Sequence, residues 1–480
     1  MTPKIKHSLI PLIVLILMIA LSIALFGSDS LSGANQISLM IATSVCVGIG
    51  MGVYKVEWKT IEKAMEDTIG CSSTSIVILL MIGLMAGSWM VSGVVPTLIY
   101  YGIQIMSPTF FLFCACIICS LVSVMTGSSW TTVATIGIAL LGIGKALGVP
   151  DAWTAGAIIS GAYFGDKISP LSDTTVLASS AAQVNIFEHI KYMLKTTIPT
   201  ISIALLVFLL AGFFMETKGS ADVQTYLEGL RKTFNISAWA LIVPVFTGIM
   251  IAKKVPALIT LFLSGLSAGI LAVILQPDIV ATIAGNGTEH TAQSLAKGVM
   301  ITFFTSTNID CGNAELNELV ATSGMAGMLN TVWLILCAMC FGGAMTATGM
   351  LQCITKSITR WVTGRTSLVS CTAFTGFSLN CMTSDQYMSI VLTANMYRDI
   401  YKEKGYEGRL LSRTTEDSTT VTSVLIPWNT CGMTQSTVLG VATIEYLPYC
   451  VFNYLSPLMT IFMAWIASKN KHKNEHKRQD

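Results

Sequence analysis

Charged side chains are scarce in this sequence. Asp, Glu, Lys and Arg make up only 11% of the 480 residues, and 53% of the residues are hydrophobic. Soluble domains usually carry about 25% charged residues, so a chain of this length cannot build a soluble surface from so few. This scarcity excludes a soluble enzyme, a nucleic-acid-binding protein and a disordered scaffold. The net charge of +2 gives no reason to expect a polyanion as a partner.

Histidine is also rare, and the motifs of common enzyme classes are absent or misplaced. Of the five histidines, His7, His472 and His476 lie near the chain ends, and no HExxH motif is present. The stretch Gly265–Gly269 fits the GxSxG pattern of hydrolases but lies in an apolar run, without the strand-turn-helix context of that motif. The 13 cysteines are scattered through apolar segments, as buried packing thiols are. The sequence predicts neither an enzyme nor a resident cofactor.

Long apolar runs, in contrast, are plentiful. A helix needs about 20 mostly apolar residues to cross a bilayer. Apolar segments lie at 9–26, 37–53, 74–95, 108–126, 152–180, 198–215, 236–252, 255–275, 328–350, 367–397, 415–440 and 447–467. We therefore predict an all-α polytopic membrane protein with about 10–12 membrane elements, surrounded by the lipid bilayer.

The distribution of Lys and Arg predicts the orientation of the chain, because cytoplasmic loops carry an excess of both. The tail from Lys469 to Arg478 and the segment Arg398–Arg413 are strongly basic and are predicted to be cytoplasmic. Lys4 and Lys6 precede the first apolar run, so the N-terminus is also predicted to be cytoplasmic. The link at 145–151 has one Lys and one Asp, which fits the outside.

The two halves of the chain share a pattern when one is shifted by 256 residues. Each half contains an apolar hairpin with a polar tip, at 126–132 and 382–386. Each hairpin is followed by an apolar helix interrupted by proline and polar residues, at 152–180 and 415–440. The aligned pairs are Gly87 with Gly343, Gly93 with Gly349, Asp173 with Asn429, and Thr174 with Thr430.

The link after the first hairpin is predicted outside and its counterpart after the second inside, so we predict two inverted repeats, each with a re-entrant hairpin and a broken helix. Paired interrupted segments in inverted halves indicate the binding site of a secondary transporter. The predicted organisation is N-terminal spans and a charged surface helix (residues 55–70) at 1–70, a first repeat at 71–215, connecting spans and loops at 216–325, a second repeat at 326–468, and a basic cytoplasmic tail at 469–480.

Several carboxylates lie within or beside the apolar segments. A charged side chain at membrane depth costs at least about 2.5–3.5 kcal/mol, so it faces water, pairs with a cation or titrates. All three outcomes indicate ion handling. The candidates for proton coupling are Asp166, Asp385, Glu416 and Asp417. Lys167 is a candidate partner for Asp166.

Hydroxyl, amide and carboxylate oxygens surround the two helix breaks. Pro170 removes a backbone donor and frees carbonyl oxygens, and such hard oxygen ligands suit Na⁺. The predicted cation-binding residues are Ser128, Ser129, Asp173, Thr174, Thr175, Thr383, Ser384, Asn429 and Thr430, with Asp173 and Ser128 as the main ligands for Na⁺. The alternative for any single Ser or Thr is a hydrogen bond to its own or a neighbouring helix.

Three stretches resemble the NhaC family of Na⁺/H⁺ antiporters. They are SGAYFGDKISPLSDTT at 160–175, TGSSWTT at 126–132, and the segment 416–432, from Glu-Asp-Ser to Ile-Pro-Trp-Asn-Thr-Cys-Gly. The likeness extends from about residue 40 to 465. It implies transporters of the bacterial inner membrane, in the wider ion-transporter superfamily, that form homodimers with inverted repeats, two hairpins and a moving transport domain.

We predict proton-driven export of Na⁺ by a secondary active antiporter. The alternative is a Na⁺- or H⁺-coupled carrier or exchanger of small organic acids, of the malate/lactate type, or of amino acids. Two cation-type half-sites around a central cavity favour this alternative, because an antiporter needs only one. Asn429 and Thr430 would then hold a carboxylate or an amine.

Overall fold

The chain folds as a helical membrane protein. The computed structural model describes residues 3–26, 33–215, 220–253, 255–285, 290–312 and 314–476. Within these ranges the chain is helical except for loops and one isolated antiparallel bridge between Thr307 and Thr322. The predicted all-α class is confirmed. The last residues of the predicted basic tail, after 476, lie outside the described part.

The described residues form 25 α-helices, in a first run up to Phe304 and a second run from Ala314 onward. The first run is α1 (Ile5–Phe26), α2 (Ala34–Gly52), α3 (Trp58–Val91), α4 (Val94–Ile105), α5 (Pro108–Thr126), α6 (Ser129–Thr132), α7 (Ile138–Leu147), α8 (Asp151–Ile168), α9 (Asp173–Ala181), α10 (Ile186–Phe214), α11 (Ser220–Thr233), α12 (Ile242–Ala252), α13 (Ala257–Leu275), α14 (Pro277–Ile283) and α15 (Ala292–Phe304). The second run is α16 (Ala314–Val320), α17 (Gly324–Gly327), α18 (Leu329–Ala347), α19 (Met350–Thr359), α20 (Arg365–Thr383), α21 (Gln386–Glu403), α22 (Gly408–Thr415), α23 (Thr430–Leu439), α24 (Thr443–Tyr446) and α25 (Val451–His476). π-Helical turns at Val133–Gly137 and Glu416–Thr420 join α6 to α7 and extend α22.

Nine helices of the described part are long and apolar enough to cross a membrane, or ten if one strongly bent pair counts as a span. The predicted number is slightly higher because the segments 152–180, 367–397 and 415–440 are each divided into shorter helices. One span, Ser129–Leu147, was not among the predicted segments. The charged stretch at 55–70 is not a separate surface helix. From Trp58 it forms the first turns of α3, which continues without interruption into an apolar span.

The helix boundaries of the two halves recur at a nearly constant separation. The ends of α3 and α18, at Val91 and Ala347, are 256 residues apart. The helices α5 and α20 begin and end 257 residues apart, as do the first residues of α8 and α22 and of α9 and α23. One additional residue therefore lies between the first residue of α19 and the first residue of α20. With this residue counted, Asp173 corresponds to Thr430, the first residue of α23. The predicted alignment of Asp173 with Asn429 is therefore wrong by one residue. The opposite orientation of the halves stays a prediction.

The first hairpin packs very closely on the broken helix that follows it. A Cβ atom at Gly161 of α8 would lie 2.2 Å from the carbonyl oxygen of Cys116 in α5, and one at Gly165 would lie 2.5 Å from that of Ser120. Only glycine permits this backbone approach. The contact holds the tip of the hairpin beside the break of the helix.

Candidate functional site

The tip of the first hairpin touches the break between α8 and α9. Gly127, between α5 and α6, has φ +65°, and a Cβ there would lie 2.7 Å from the backbone of Leu171. Glycine is required here both for the left-handed backbone and for the close approach. The Ser169 hydroxyl, also in the break, donates to the carbonyl of Val124 at 2.8 Å.

The tip and the broken helix are joined by a carboxylate–hydroxyl pair. Ser129 Oγ donates to Asp166 Oδ2 at 2.7 Å, and both residues are almost fully buried. The neighbouring Ser128 caps α6, since its Oγ accepts from the amide of Thr131 at 3.2 Å. Ser129, predicted as a cation ligand, thus contacts Asp166, predicted as a proton-coupling residue.

The break itself is closed by local hydrogen bonds. Ser172 caps α9 by accepting from the Thr175 amide. The Thr175 hydroxyl donates to the carbonyl oxygens of Lys167 and Asp166, at 3.0 and 3.3 Å. Thr175 therefore stabilises the broken helix end by satisfying carbonyls freed near Pro170.

A cavity of about 410 Å³ opens where the tip, the break and neighbouring helices meet. Among the predicted site residues it is lined by Ser128, Ser129, Asp166, Asp173 and Thr174. Asp173 is exposed, whereas Asp166 lies at the buried end with 5% of its surface exposed. Among the described residues, the lining includes two carboxylates and many hydroxyls but no Lys, Arg or His.

The sequence interpretation did not identify several other lining residues. Thr74 and Ser75 come from α3, Thr260 from α13, and Gln386 and Tyr387 from the tip of the second hairpin. Thr74 and Ser75 stand in an apolar segment with nothing in sequence to link them to the tips. For Gln386 and Tyr387 a signal was available, because Gln386 is the last residue of the predicted tip at 382–386 and Tyr387 follows it.

The second tip repeats the local hydrogen bonds of the first, but of its residues 382–386 Gln386 alone lines the cavity. Thr383 Oγ1 bonds Ser389 Oγ at 2.8 Å, as Thr126 bonds Thr132 at 3.2 Å in the first tip. Asp385 caps α21 by accepting from the amide of Met388 at 2.8 Å, and Thr430 Oγ1 donates to its other oxygen at 3.4 Å. These residues are buried among one another.

The second break is also closed. Asn429 caps α23 by accepting from the Cys431 amide at 3.1 Å, and its Nδ2 donates to the carbonyl of Asn380. The Thr430 amide donates to the carbonyl of Ser384 at 2.9 Å. Of the predicted cation-binding residues in the second half, Thr383, Ser384, Asn429 and Thr430, none lines the cavity.

A buried cluster of charges lies beside the cavity. Lys167, at the end of α8, forms an ion pair with Asp417 and donates to Ser456 Oγ at 2.8 Å. Asp417 Oδ2 accepts from Thr196 Oγ1 at 2.8 Å and lies 3.8 Å from Arg413 Nε. Lys167 and Asp417 have no exposed surface. The predicted partnership of Lys167 with Asp166 is wrong.

Glu416 links this cluster to the cavity. Its Oε1 accepts from Thr174 Oγ1 at 3.1 Å, and Thr174 lines the cavity. Its other oxygen, Oε2, is buried and has no hydrogen-bond partner among the described residues. The Thr174 hydroxyl therefore lies between the cavity and the buried carboxyl group of Glu416, whose Oε2 can accept a further hydrogen bond. Glu416 lies in the π-helical turn Glu416–Thr420, a feature often found at functional sites.

Comparison with known proteins gives the family. A family model described as the Na⁺/H⁺ antiporter family matches residues 3–185 and 161–467. The chain belongs to that family. This antiporter-family protein is 33% identical over 465 residues to the Na⁺/H⁺ antiporter NhaC of Alkalihalophilus pseudofirmus, covering 96% of each chain.

Other relatives of this antiporter-family protein carry different names. It is 33% identical over 457 residues to the malate-2H⁺/Na⁺-lactate antiporter of Bacillus subtilis, covering 94% of each chain. It is 32% identical over 471 residues to the arginine/ornithine antiporter ArcD of Halobacterium salinarum, covering 97% of this chain and 93% of that protein. These relatives are named as antiporters and not as enzymes, but they differ in their solutes.

Proposed function

We propose that the protein is a secondary active transporter that exports Na⁺ in exchange for H⁺. The observation that supports this most strongly is the cavity, because its lining combines two carboxylates and several hydroxyls with no basic side chain in the described part. Oxygen donors with net negative charge favour a small hard cation. The names of the NhaC relatives support the same cation.

In this proposal Asp166 and Asp173 bind either a proton or Na⁺, never both. Ser129, which donates to Asp166, can turn its oxygen toward a bound cation when the carboxyl group is occupied. Thr174 carries a proton between the cavity and Glu416. Competition for the same carboxylates then couples the two ion movements.

The test is a transport assay on purified protein in proteoliposomes with an imposed pH gradient. NaCl, malate, lactate and a panel of amino acids are added in separate runs, and a pH-sensitive dye follows the gradient. Collapse of the gradient by NaCl alone is the expected result. No response to NaCl alone, together with Na⁺- or H⁺-dependent uptake of one organic solute, would reject the proposal in favour of the alternative.

Replacing Thr174 with Val tests the proposed proton link. Val preserves the shape of the side chain but cannot donate to Glu416, so we expect Na⁺/H⁺ exchange to slow by about 100-fold, the scale of a lost proton-transfer group. Thr174→Ser retains the hydroxyl and should exchange at nearly the wild-type rate. The readout is the initial rate of gradient collapse together with the apparent affinity for Na⁺. A large loss of affinity without a slower maximal rate would make Thr174 a cation ligand instead.

The alternative function is a carrier or exchanger of an organic acid or amino acid, coupled to Na⁺ or H⁺. The cavity volume of about 410 Å³ favours it, since small-molecule pockets are typically about 300–1,000 Å³. The lining limits the choice of solute. With Asp166 and Asp173 present, an amino acid is bound through its amine, whereas malate or lactate needs a coupling cation between its carboxylate and the protein.

We also propose that the protein lies in a bacterial inner membrane with both termini in the cytoplasm and that two copies form a homodimer. The bacterial relatives and the distribution of Lys and Arg support the location, and the family resemblance supports the dimer. Accessibility of single cysteines near residues 6 and 404 to a membrane-impermeant reagent in intact cells tests the orientation. Labelling of either site from outside would contradict it.

A further inference from the structure

Four cationic side chains surround the side chain of Tyr192, and none of these five residues lines the cavity. The guanidinium carbons of Arg413 and Arg409 lie 4.8 and 5.0 Å from the centre of the Tyr192 ring, and Lys195 Nζ lies 5.1 Å from it. Arg365 Nη2 donates to the Tyr192 hydroxyl at 3.4 Å. These five residues, called here the Tyr192 cluster, come from three helices, α10, α20 and α22.

The Tyr192 cluster contains unused hydrogen-bond donors. Arg413 is 3% exposed, and its Nε and Nη2 have no hydrogen-bond partner among the described residues. Arg365 Nε is also buried and unpartnered in the described part. A buried N–H group without an acceptor is costly, because it has lost its bonds to water. These donors therefore indicate an acceptor that is supplied from outside the chain.

The acidic groups that face the cluster do not neutralise it. Glu407 is bonded to Arg409, and Glu188 lies close enough to Arg409 to interact with its charge. Asp417 approaches Arg413 Nε at 3.8 Å but is already the ion-pair partner of Lys167. The four cations thus face Glu407 and Glu188, and they share Asp417 with Lys167. The net charge favours an anion, and the fork of donors on each Arg suits a phosphate oxygen pair.

The position of the cluster indicates where that anion comes from. Tyr192 and Lys195 lie in the first turns of α10 after Asn185, and Arg365 is the first residue of α20. Phe187 at the start of α10 and Trp361 before α20 are both 69% exposed. Exposed aromatic residues beside basic ones at helix ends are typical of the layer where lipid headgroups lie. The neighbouring segment Arg398–Arg413 is the one predicted to be cytoplasmic from its charge.

We propose that the Tyr192 cluster binds the phosphate group of an anionic phospholipid at the membrane surface. Arg413 and Arg365 hold the phosphate oxygens, and the exposed Arg409 and Lys195 attract the headgroup. Because Arg413 also approaches Asp417, a bound phosphate fixes one side of the buried ion-pair cluster. This site is separate from the proposed ion cavity and does not depend on which solute the protein transports.

The test is lipid binding to the full chain in a neutral detergent. Native mass spectrometry and thermal unfolding are recorded with added phosphatidylglycerol, with phosphatidylcholine and with inorganic phosphate. Phosphatidylglycerol should bind and raise the unfolding temperature more than either of the others. The double variant Arg409→Gln/Lys195→Gln should bind phosphatidylglycerol about 25-fold more weakly, since each basic residue near an anionic surface contributes about a fivefold attraction.

The matched control is Lys402→Gln/Lys404→Gln, which removes two exposed cations from the same predicted face but outside the cluster. It should bind phosphatidylglycerol as the wild type does. An equal loss in this control would show nonspecific attraction and overturn the proposal. So would equal binding of the two lipids, protection by inorganic phosphate alone, or an unaltered affinity of the Arg409/Lys195 variant. Unfolding in phosphatidylcholine shows that each variant is folded.

Discussion

Asp166→Asn is expected to abolish most Na⁺-dependent transport, with about 100-fold weaker Na⁺ affinity in proteoliposomes. Asp166 is buried at the inner end of the cavity, and removing one charge from a desolvated charge contact costs about 2–5 kcal/mol. Asn has nearly the same size and can still accept from Ser129 Oγ, so the fold should be preserved. Uptake of radioactive Na⁺ as a function of Na⁺ concentration measures the change.

Asp173→Asn is expected to have the same direction but a smaller effect, about tenfold, because Asp173 is exposed and water screens its charge. The control is Asp151→Asn at the other end of α8, where the carboxylate forms a half-exposed ion pair with Lys145 far from the cavity. It should leave Na⁺ affinity unchanged. If Asp166→Asn keeps the wild-type affinity for Na⁺, Asp166 is not part of the site. If Asp173→Asn loses more Na⁺ affinity than Asp166→Asn, Asp173 is the principal ligand.

The pH dependence of Na⁺ binding gives a second readout of the Asp166 carboxylate. Protons and Na⁺ compete for it, so raising the pH should strengthen Na⁺ binding by the wild type. Asn does not titrate, and Asp166→Asn should lose most of this dependence. A pH dependence equal to that of the wild type would assign the competing proton to another group.

The sequence was informative about the first half of the site because its pattern is local. Gly127 and Pro170 mark a tight tip and a helix break. Serine and threonine follow Gly127, and serine, aspartate and threonine follow Pro170. The hydrogen bond from Ser129 to Asp166 joins two residues that both lie in these stretches. Local backbone rules are therefore sufficient to locate the tip and the break in the sequence.

The partner of Lys167 was not predictable in this way. Consecutive residues do not face each other on a helix, so Lys167 points away from Asp166 although they are adjacent in sequence. Its actual partner, Asp417, is brought near by the packing of the second half on the first. Such a pairing depends on tertiary contacts that no local pattern contains.

The sequence did not reveal how the two halves differ at the cation site, because both contain many residues that can bind a cation. At the separation of 257 residues, Ser129 corresponds to Gln386 and Asp166 to Ser423. Gln386 donates to the carbonyl of Thr420, and Ser423 donates to the same carbonyl. The second half thus has no carboxylate–hydroxyl pair at the positions of Ser129 and Asp166, and its own contact between Thr430 and Asp385 does not line the cavity. This argues for one cation site and against the two half-sites that favoured the organic-solute alternative.

The second large effect is expected from Lys167→Met. It leaves Asp417 as a buried charge without its main partner, which destabilises a protein by about 3–5 kcal/mol. Asp417→Asn should be similarly harmful, because Lys167 and Arg413 are then left without a carboxylate. Removing both charges together, in Lys167→Met/Asp417→Asn, should recover most of the loss. Thermal unfolding in detergent, compared across the three variants, measures this.

The double variant also shows whether the pair moves protons. Neither Lys167 nor Asp417 lines the cavity, and Asp417 Oδ2 is already bonded by Thr196, so we expect a structural pair. A stable double variant should therefore still exchange Na⁺ for H⁺ at a rate within about tenfold of the wild type, since a lost proton-transfer group costs about 10²-fold or more. A variant that regains its stability but cannot exchange would show that Asp417 belongs to the proton path. A double variant no more stable than either single one would contradict the charge-pair explanation itself.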